Sequence, residues 1–260
     1  MGLTRWYQLT QILFVIPNSP SEIKLTRQQQ PDYVKRETHD LSKMFIDMKE
    51  SEIKSNGVLV NSFYELESGY ADHYRKVLGR KAWHIGPFWF WNCDPQNKAK
   101  RGKEASIDEH ECLKWPSSKK INSVCLCMLW KYSQLCCFTT SVNRNRMGFV
   151  IHCGWNSTLE AIIAGVPMVT WPVSAEQFYN EKLVTGTVNI GVRIGVQVGA
   201  ALVGDRVKKE KAIMEDKEAE ELRSRARKLG EMAKSAVEEG GSSHSDFNAF
   251  IEELKSKNSI

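Results

Sequence analysis

The sequence lacks an excess of either charge. Its 36 Lys and Arg stand against 31 Asp and Glu, a net charge of +5 over 260 residues. That is too even for the basic footprint of a nucleic-acid or membrane-surface binder. It also lacks a long hydrophobic run. Ile12 to Ile16 is a short apolar stretch with no basic segment before it, and nothing approaches the roughly 18 apolar residues of a membrane helix. Proline is scarce, at eight residues, and a quarter of the chain is charged, which excludes wholesale disorder. The seven cysteines (Cys93, Cys112, Cys125, Cys127, Cys136, Cys137 and Cys153) are odd in number and form no C-x-x-C pair. This argues against a disulfide framework or a zinc site and for free thiols in a reducing compartment. The expectation is a cytoplasmic protein with no metal, no nucleic-acid partner and no membrane span. At this length the chain holds one large domain or two small ones, with enough residues to bury a core.

What is present reads as an α/β pattern. The opening through Asn56 reads as loops and one charged helix, His39 to Lys54. Gly57-Val58-Leu59-Val60 is a short buried strand. Phe63 to Leu78 then reads as a helix, with Leu66, Tyr70, Tyr74 and Val77 on one face and Gly79 as its stop. Trp83-His84-Ile85 follows as a strand ended by Gly86-Pro87, which makes a β-α-β unit. Trp91 to Glu111 is polar without period and reads as a linker, and Cys125 to Arg146 carries no element-like pattern. Order returns at the strand Phe149-Val150-Ile151. Ser157-Thr158-Leu159-Glu160 is a capping box opening a helix through Ala164, closed by Gly165. Met168 to Trp171 is the next strand, and Ser174-Ala175-Glu176-Gln177 a second capping box opening a helix to about Val184. Strand and helix alternating at short spacing argue a parallel sheet covered by helices. Leu222, Ala226, Leu229, Ala233 and Ala236 mark a penultimate helix, and Phe247, Phe250, Ile251 and Leu254 a last one after Gly240-Gly241. The chain divides as 1-88, a linker at 89-121, and 122-260.

Ligands of parallel sheets bind beyond the carboxyl ends of the strands. Two such ends lead here into helix N-termini, where amides and the macrodipole favour an anion. A phosphate-bearing ligand suits them. His152 is placed to donate to a phosphate oxygen, and Asn156 and Ser157 are short donors beside it. Trp155 offers a flat face to a sugar or base, while Glu160, Glu176 and Gln177 suit hydroxyls. A plainer reading stands beside this one. Ser157 and Ser174 cap helices, Glu160 and Gln177 complete the boxes, Trp155 is core, and His152 is a satisfied loop histidine. The density of polar groups at two neighbouring strand ends favours the ligand. A dinucleotide-dependent oxidoreductase is excluded, because no G-x-G-x-x-G follows a strand.

The run Phe149-Val150-Ile151-His152-Cys153-Gly154-Trp155-Asn156-Ser157-Thr158-Leu159-Glu160, with Gly165-Val166-Pro167 and Trp171-Pro172-Val173-Ser174-Ala175-Glu176-Gln177, resembles the sugar-donor box of plant UDP-dependent glycosyltransferases. Val58 to Glu67 and Trp83 to Pro87 resemble the end of that family's N-terminal domain. The resemblance implies a GT-B-type fold of twin Rossmann-like domains, incomplete here. Residues 1-88 would be the remnant of the acceptor-side domain and 122-260 a partial UDP-sugar-binding domain. It implies that His152 contacts the diphosphate with Gly154, Asn156 and Ser157 alongside, and that Trp155 lies near the sugar. Glu160 would hold the ribose, and Glu176 and Gln177 the sugar hydroxyls. The implied co-substrate is a UDP-sugar such as UDP-glucose, no cofactor or metal is needed, and the acceptor is a hydroxyl of a small lipophilic molecule such as a flavonoid or triterpenoid. The family's Trp-x-Pro-Gln stretch is absent, since Gln134, Cys136 and Cys137 stand where its tryptophan, proline and glutamine belong. His39, His73 and His84 do not sit in the motif of the family's basic histidine, so no catalytic residue is assigned. Cys125 to Arg146 reads as sequence carried through a splice or frame error. Losing on the order of ten buried aliphatic side chains, at about 1.5–3 kcal/mol each, rivals a domain's whole margin of about 5–15 kcal/mol. Two expectations follow: a UDP-glucosyltransferase by lineage, or an inactive fragment that binds UDP or pairs with an intact relative.

Overall fold

The computed structural model describes residues 13–35, 40–88, 90, 124–128, 146–193 and 217–258. Along the chain, β1 (Leu13–Val15) and β2 (Lys24–Thr26) precede the short α1 (Asp32–Lys35) and α2 (Asp40–Lys54). β3 (Val58–Val60), α3 (Ser68–Asp72) and β4 (Ala82–His84) follow. Then come β5 (Val124–Met128), β6 (Arg146–Ile151), α4 (Trp155–Ile163), β7 (Met168–Thr170), α5 (Gln177–Lys182) and β8 (Gly191–Arg193). α6 (Lys217–Val237) and α7 (Ser242–Asn258) close the chain. The expected linker Trp91 to Glu111, and Gln134, Cys136, Cys137 and His39, lie outside the described residues.

The elements form two compact units. The first gathers residues 1–86, 173–179 and 236–260, and the second 87–172 and 180–235. In the first, β1 and β2 pair antiparallel with Phe14 opposite Leu25, which corrects the reading of the opening as loops and one helix. Three-residue strands are too short to declare a period of two, and only their partner reveals them. The expected helix over His39 to Lys54 is α2. β3 and β4 pair in parallel with Val58 opposite Ala82, so the expected β-α-β unit holds. Its connection is not one helix from Phe63 to Leu78. A 3-10 turn (Tyr64–Leu66), α3 and a π turn (His73–Val77) share the stretch. The break falls at Glu67, whose φ −142° and ψ 42° leave the helical region. A side-chain period cannot disclose one backbone excursion.

β4 is clamped to α7. The Asp246 carboxylate accepts from the His84 amide at 2.7 Å and pairs with Arg75, whose guanidinium also donates to Ala82 O at 2.8 Å. Ser243 Oγ donates to Gly86 O at 2.6 Å, and the Trp83 and Phe250 rings meet at 5.3 Å.

The second unit is a four-stranded parallel sheet in the order β5-β6-β7-β8. Phe149 stands opposite Met168, and Met168 opposite Gly191. The expected parallel sheet holds and gains two strands that hydrophobic pattern did not declare, β5 in the unpatterned segment and β8 after the π turn Leu183–Thr187. Val150, Val169 and Leu222 form a buried cluster, with Trp171 and Val192 against it. On α6, Leu222, Ala226, Leu229 and Ala233 are all buried, as their spacing predicts. Gly165, at φ 63°, ends α4, also as expected.

Candidate functional site

β6 ends at Ile151, and the Trp171 amide donates to its carbonyl at 2.8 Å, which aligns the ends of β6 and β7. The chain then makes a three-residue turn into α4. Cys153, in the middle of it, adopts φ 63°, a left-handed conformation that costs a residue with a side chain roughly 1–2 kcal/mol. Its thiol is fully buried, and burial, with the nearby Glu181 charge, pushes its pKa well above the ordinary thiol range. The Asn180 side-chain amide donates to Cys153 O at 2.8 Å and holds this carbonyl in place.

Gly154 is the residue that starts α4. Its φ −62° and ψ 140° are extended, no side chain caps the helix there, and the first bond the helix makes runs from the Thr158 amide to Gly154 O at 3.0 Å. Ser157 and Glu160 therefore sit inside the helix. The Ser157–Glu160 capping box is corrected, because the helix is capped at Gly154, three residues earlier than the spacing suggested. A Cβ added at Gly154 would lie 2.4 Å from His152 Nε2. The imidazole thus lies directly against the backbone at the head of α4. The ring sits beside the first helical turn, whose free amides suit an anion. Trp155 and Ser157 are half-buried beside it, Asn156 is exposed, and Glu160 is half-buried one turn further on.

Glu176 and Gln177 fall within the first unit. Gln177 is fully buried, and its Oε1 accepts from the Val173 and Ser174 amides at 2.8 and 3.1 Å. The glutamine contact of the second capping box is present, but the expected helix does not open at Ser174: Ala175 is left-handed at φ 55°, and α5 begins at Gln177 and ends at Lys182. Because Oε1 receives two N–H groups, the amide orientation is fixed, and Nε2 is a buried donor with no protein partner. Glu176 is exposed. Burial first, and the Glu176 charge second, hold the Tyr33 phenol above its ordinary pKa.

Sequence reasoning missed Asn180 and a buried carboxylate next to it. Glu181 is 5% exposed; its Oε1 receives the Thr170 hydroxyl at 2.9 Å and its Oε2 lies 3.2 Å from Arg193 Nε. Burial raises its pKa, while the Arg193 charge and the Thr170 bond act against the rise. The one signal for both residues was their place in the turn of helix after Gln177. Among the described residues, no helix is long and apolar enough to cross a membrane.

Comparison with known proteins fits this geometry. The family model described as UDP-glucoronosyl and UDP-glucosyl transferase matches residues 145–229. UDP-glycosyltransferase 73B3 of Arabidopsis thaliana is 41% identical over 94% of this chain and 62% of its own length. The UDP-glucose flavonoid 3-O-glucosyltransferase 7 of Fragaria ananassa is 43% identical over 93% of this chain and 63% of its own. Over nearly all of its length the chain is similar to plant UDP-glycosyltransferases.

A solved relative from Glycyrrhiza uralensis, complexed with glycyrrhetinic acid 3-O-monoglucuronide, superposes with a TM-score of 0.82 at 29% identity, over 95% of this chain and 63% of its own. The fold is therefore an incomplete GT-B, the glycosyltransferase architecture expected from the donor box. The chain spans less than two thirds of the length of the curated relatives it matches. The Arabidopsis alignment runs over 306 residues while using 94% of a 260-residue chain, so roughly sixty aligned positions have no counterpart here. Against that relative the sequence is therefore interrupted internally.

Proposed function

We propose that this chain binds a UDP-sugar, UDP-glucose by preference, and descends from enzymes that transfer the hexose to a hydroxyl of a small lipophilic acceptor of the flavonoid or triterpenoid kind. The observation that carries this is the His152 ring laid against Gly154 at the head of α4, within the motif the family uses for its donor. In this reading His152, Gly154, Asn156 and Ser157 hold the diphosphate, Trp155 lies along the sugar, and Glu160 takes the ribose hydroxyls. Glu176 and the unpartnered Nε2 of Gln177 take sugar hydroxyls. Residues 122-260 would serve as the donor-binding part and 1-88 as part of the acceptor side, joined by 89-121. A cytoplasmic location and independence of metal go with it.

The chemistry is a displacement. The acceptor oxygen forms its bond to the anomeric carbon as the bond from that carbon to the UDP oxygen breaks, with inversion, and the acceptor proton passes to a base. Donors at a helix head stabilise the negative charge that develops on the departing diphosphate. Thermal unfolding titrated with UDP tests the reading, with uridine as control. Saturation at a hundredfold excess over Kd should add about 2.7 kcal/mol of stability. A melt indifferent to UDP would overturn it.

A second reading is favoured by one observation. His84 is 4% exposed, with Arg75 on its Nδ1 at 3.2 Å and its own amide on Asp246, so it is engaged in the fold and not presented to an acceptor. A chain that binds UDP without transferring sugar, or that pairs with an intact relative, fits this. UDP release in the presence of phenolic and terpenoid acceptors separates the two readings.

A further inference from the structure

We infer that Asn180 is a positioning residue for the diphosphate-binding turn, acting through the Cys153 carbonyl; the inference rests on the donor-site reading above. The turn from β6 to α4 is only three residues long, and its middle residue is left-handed although it is a cysteine. Nothing intrinsic keeps Cys153 there, since a residue with a Cβ prefers the right-handed or extended regions. The turn is held from two sides. The Thr158 amide and hydroxyl both fix Gly154 O, at 3.0 Å each. The Cys153 carbonyl, by contrast, meets the side-chain amide of Asn180, 27 residues further along the chain, at 2.8 Å. Rotating the peptide between Cys153 and Gly154 would swing both the carbonyl that Asn180 holds and the amide of Gly154. The imidazole of His152, which rests within 2.4 Å of where a Cβ on Gly154 would be, would lose its seat with it. Asn180 therefore sets the orientation of the anion-binding head of α4 without touching the ligand.

The test uses the full chain, as wild type, Asn180→Ala and Asn180→Asp. Asn180→Asp keeps the shape and replaces the donating amide with a group that cannot donate at neutral pH. Two readouts are taken: amide hydrogen exchange of the segment 149–159, and UDP affinity by calorimetry. In both variants exchange of that segment should rise while the neighbouring segment 161–169 stays as it was. UDP affinity should fall about five- to tenfold, the worth of one hydrogen bond. In Asn180→Asp, and not in Asn180→Ala, the extra exchange should subside as acid protonates the introduced carboxyl and lets it donate to Cys153 O. Unchanged exchange at 149–159, or a uniform rise across the protein without the acid-dependent recovery, would overturn the inference. If wild type fails to bind UDP, the donor-site reading falls, while the exchange data still decide whether Asn180 holds the turn.

Discussion

At residue 154 the absence of a side chain decides whether His152 reaches the head of α4. Any Cβ there would stand 2.4 Å from the ring nitrogen, closer than non-bonded atoms come, so the imidazole must move. The backbone itself, at φ −62°, would accept alanine. Gly154→Ala should therefore weaken UDP binding by about tenfold or more, the loss of one charge-assisted contact at about 1.5–3 kcal/mol, with little change in the unliganded melting temperature. Calorimetry and thermal unfolding check the two halves; an unaltered UDP affinity would remove His152 from the diphosphate. Cys153 supplies a second expectation. Its buried thiol, pushed up by burial and by Glu181, should resist iodoacetamide at pH 8 in the native state and react only on unfolding, which mass spectrometry of the labelled peptide reads directly. His152, Gly154 and the residues that follow were legible as one candidate cluster because they are contiguous in the sequence. Asn180 was not, because its partner lies across a strand and a helix, and a hydrogen bond between distant residues leaves no period in the sequence.

Among the elements, α4 and α6 approach each other closely at two glycines. A Cβ on Gly230 would come within 2.9 Å of Ile162 O and 3.1 Å of Gly165. In an exposed helix, glycine to alanine gains about 1 kcal/mol of propensity. Here the new methyl meets backbone, which cannot yield as a flexible side chain does. Gly230→Ala should be net destabilising by about 1–3 kcal/mol, seen as a lower urea midpoint; a higher midpoint would mean the helices have room to spare. β4 and α7 carry a pH-dependent contact. Burial alone would raise the Asp246 pKa, but hydrogen bonds from His84 and the Arg75 charge outweigh it and hold the carboxyl below its ordinary value. A depressed carboxylate contributes stability above its unfolded pKa of about 3.9, and that contribution is lost as pH falls through the folded value. Melts between pH 2 and 7 should show a shallower acid limb for Asp246→Asn than for wild type, with the difference confined below about pH 4. The long helices and central strands were legible from their periods. The three-residue strands β1, β2 and β8 were not, because pairing and not pattern defines elements that short.

For the whole molecule, donor binding and sugar transfer, as proposed, place demands on different parts of the chain. The region matched by the family model includes β6, α4, β7 and β8, and on the proposed reading UDP binding depends on these elements. Transfer needs in addition a base at the acceptor hydroxyl. The chain spans 62% of the length of its Arabidopsis relative, and His84, the histidine of β4, is committed to Asp246 and Arg75. Loss of a general base alone slows such a step by about 10²–10⁴-fold, whereas the donor contacts act on the leaving diphosphate and are unaffected by it. The expectation is a separation of the two: UDP affinity close to that of a full-length relative, with UDP release on a phenolic acceptor lower by about 10²–10⁴-fold. Both quantities come from one preparation of each protein, by calorimetry and by a coupled UDP assay. Turnover equal to the relative's would mean that another residue of this chain takes the acceptor proton, and its pH profile would then identify the group by its pKa. Loss of UDP affinity together with turnover would place the defect in the donor turn itself, where Gly154, His152 and Asn180 meet.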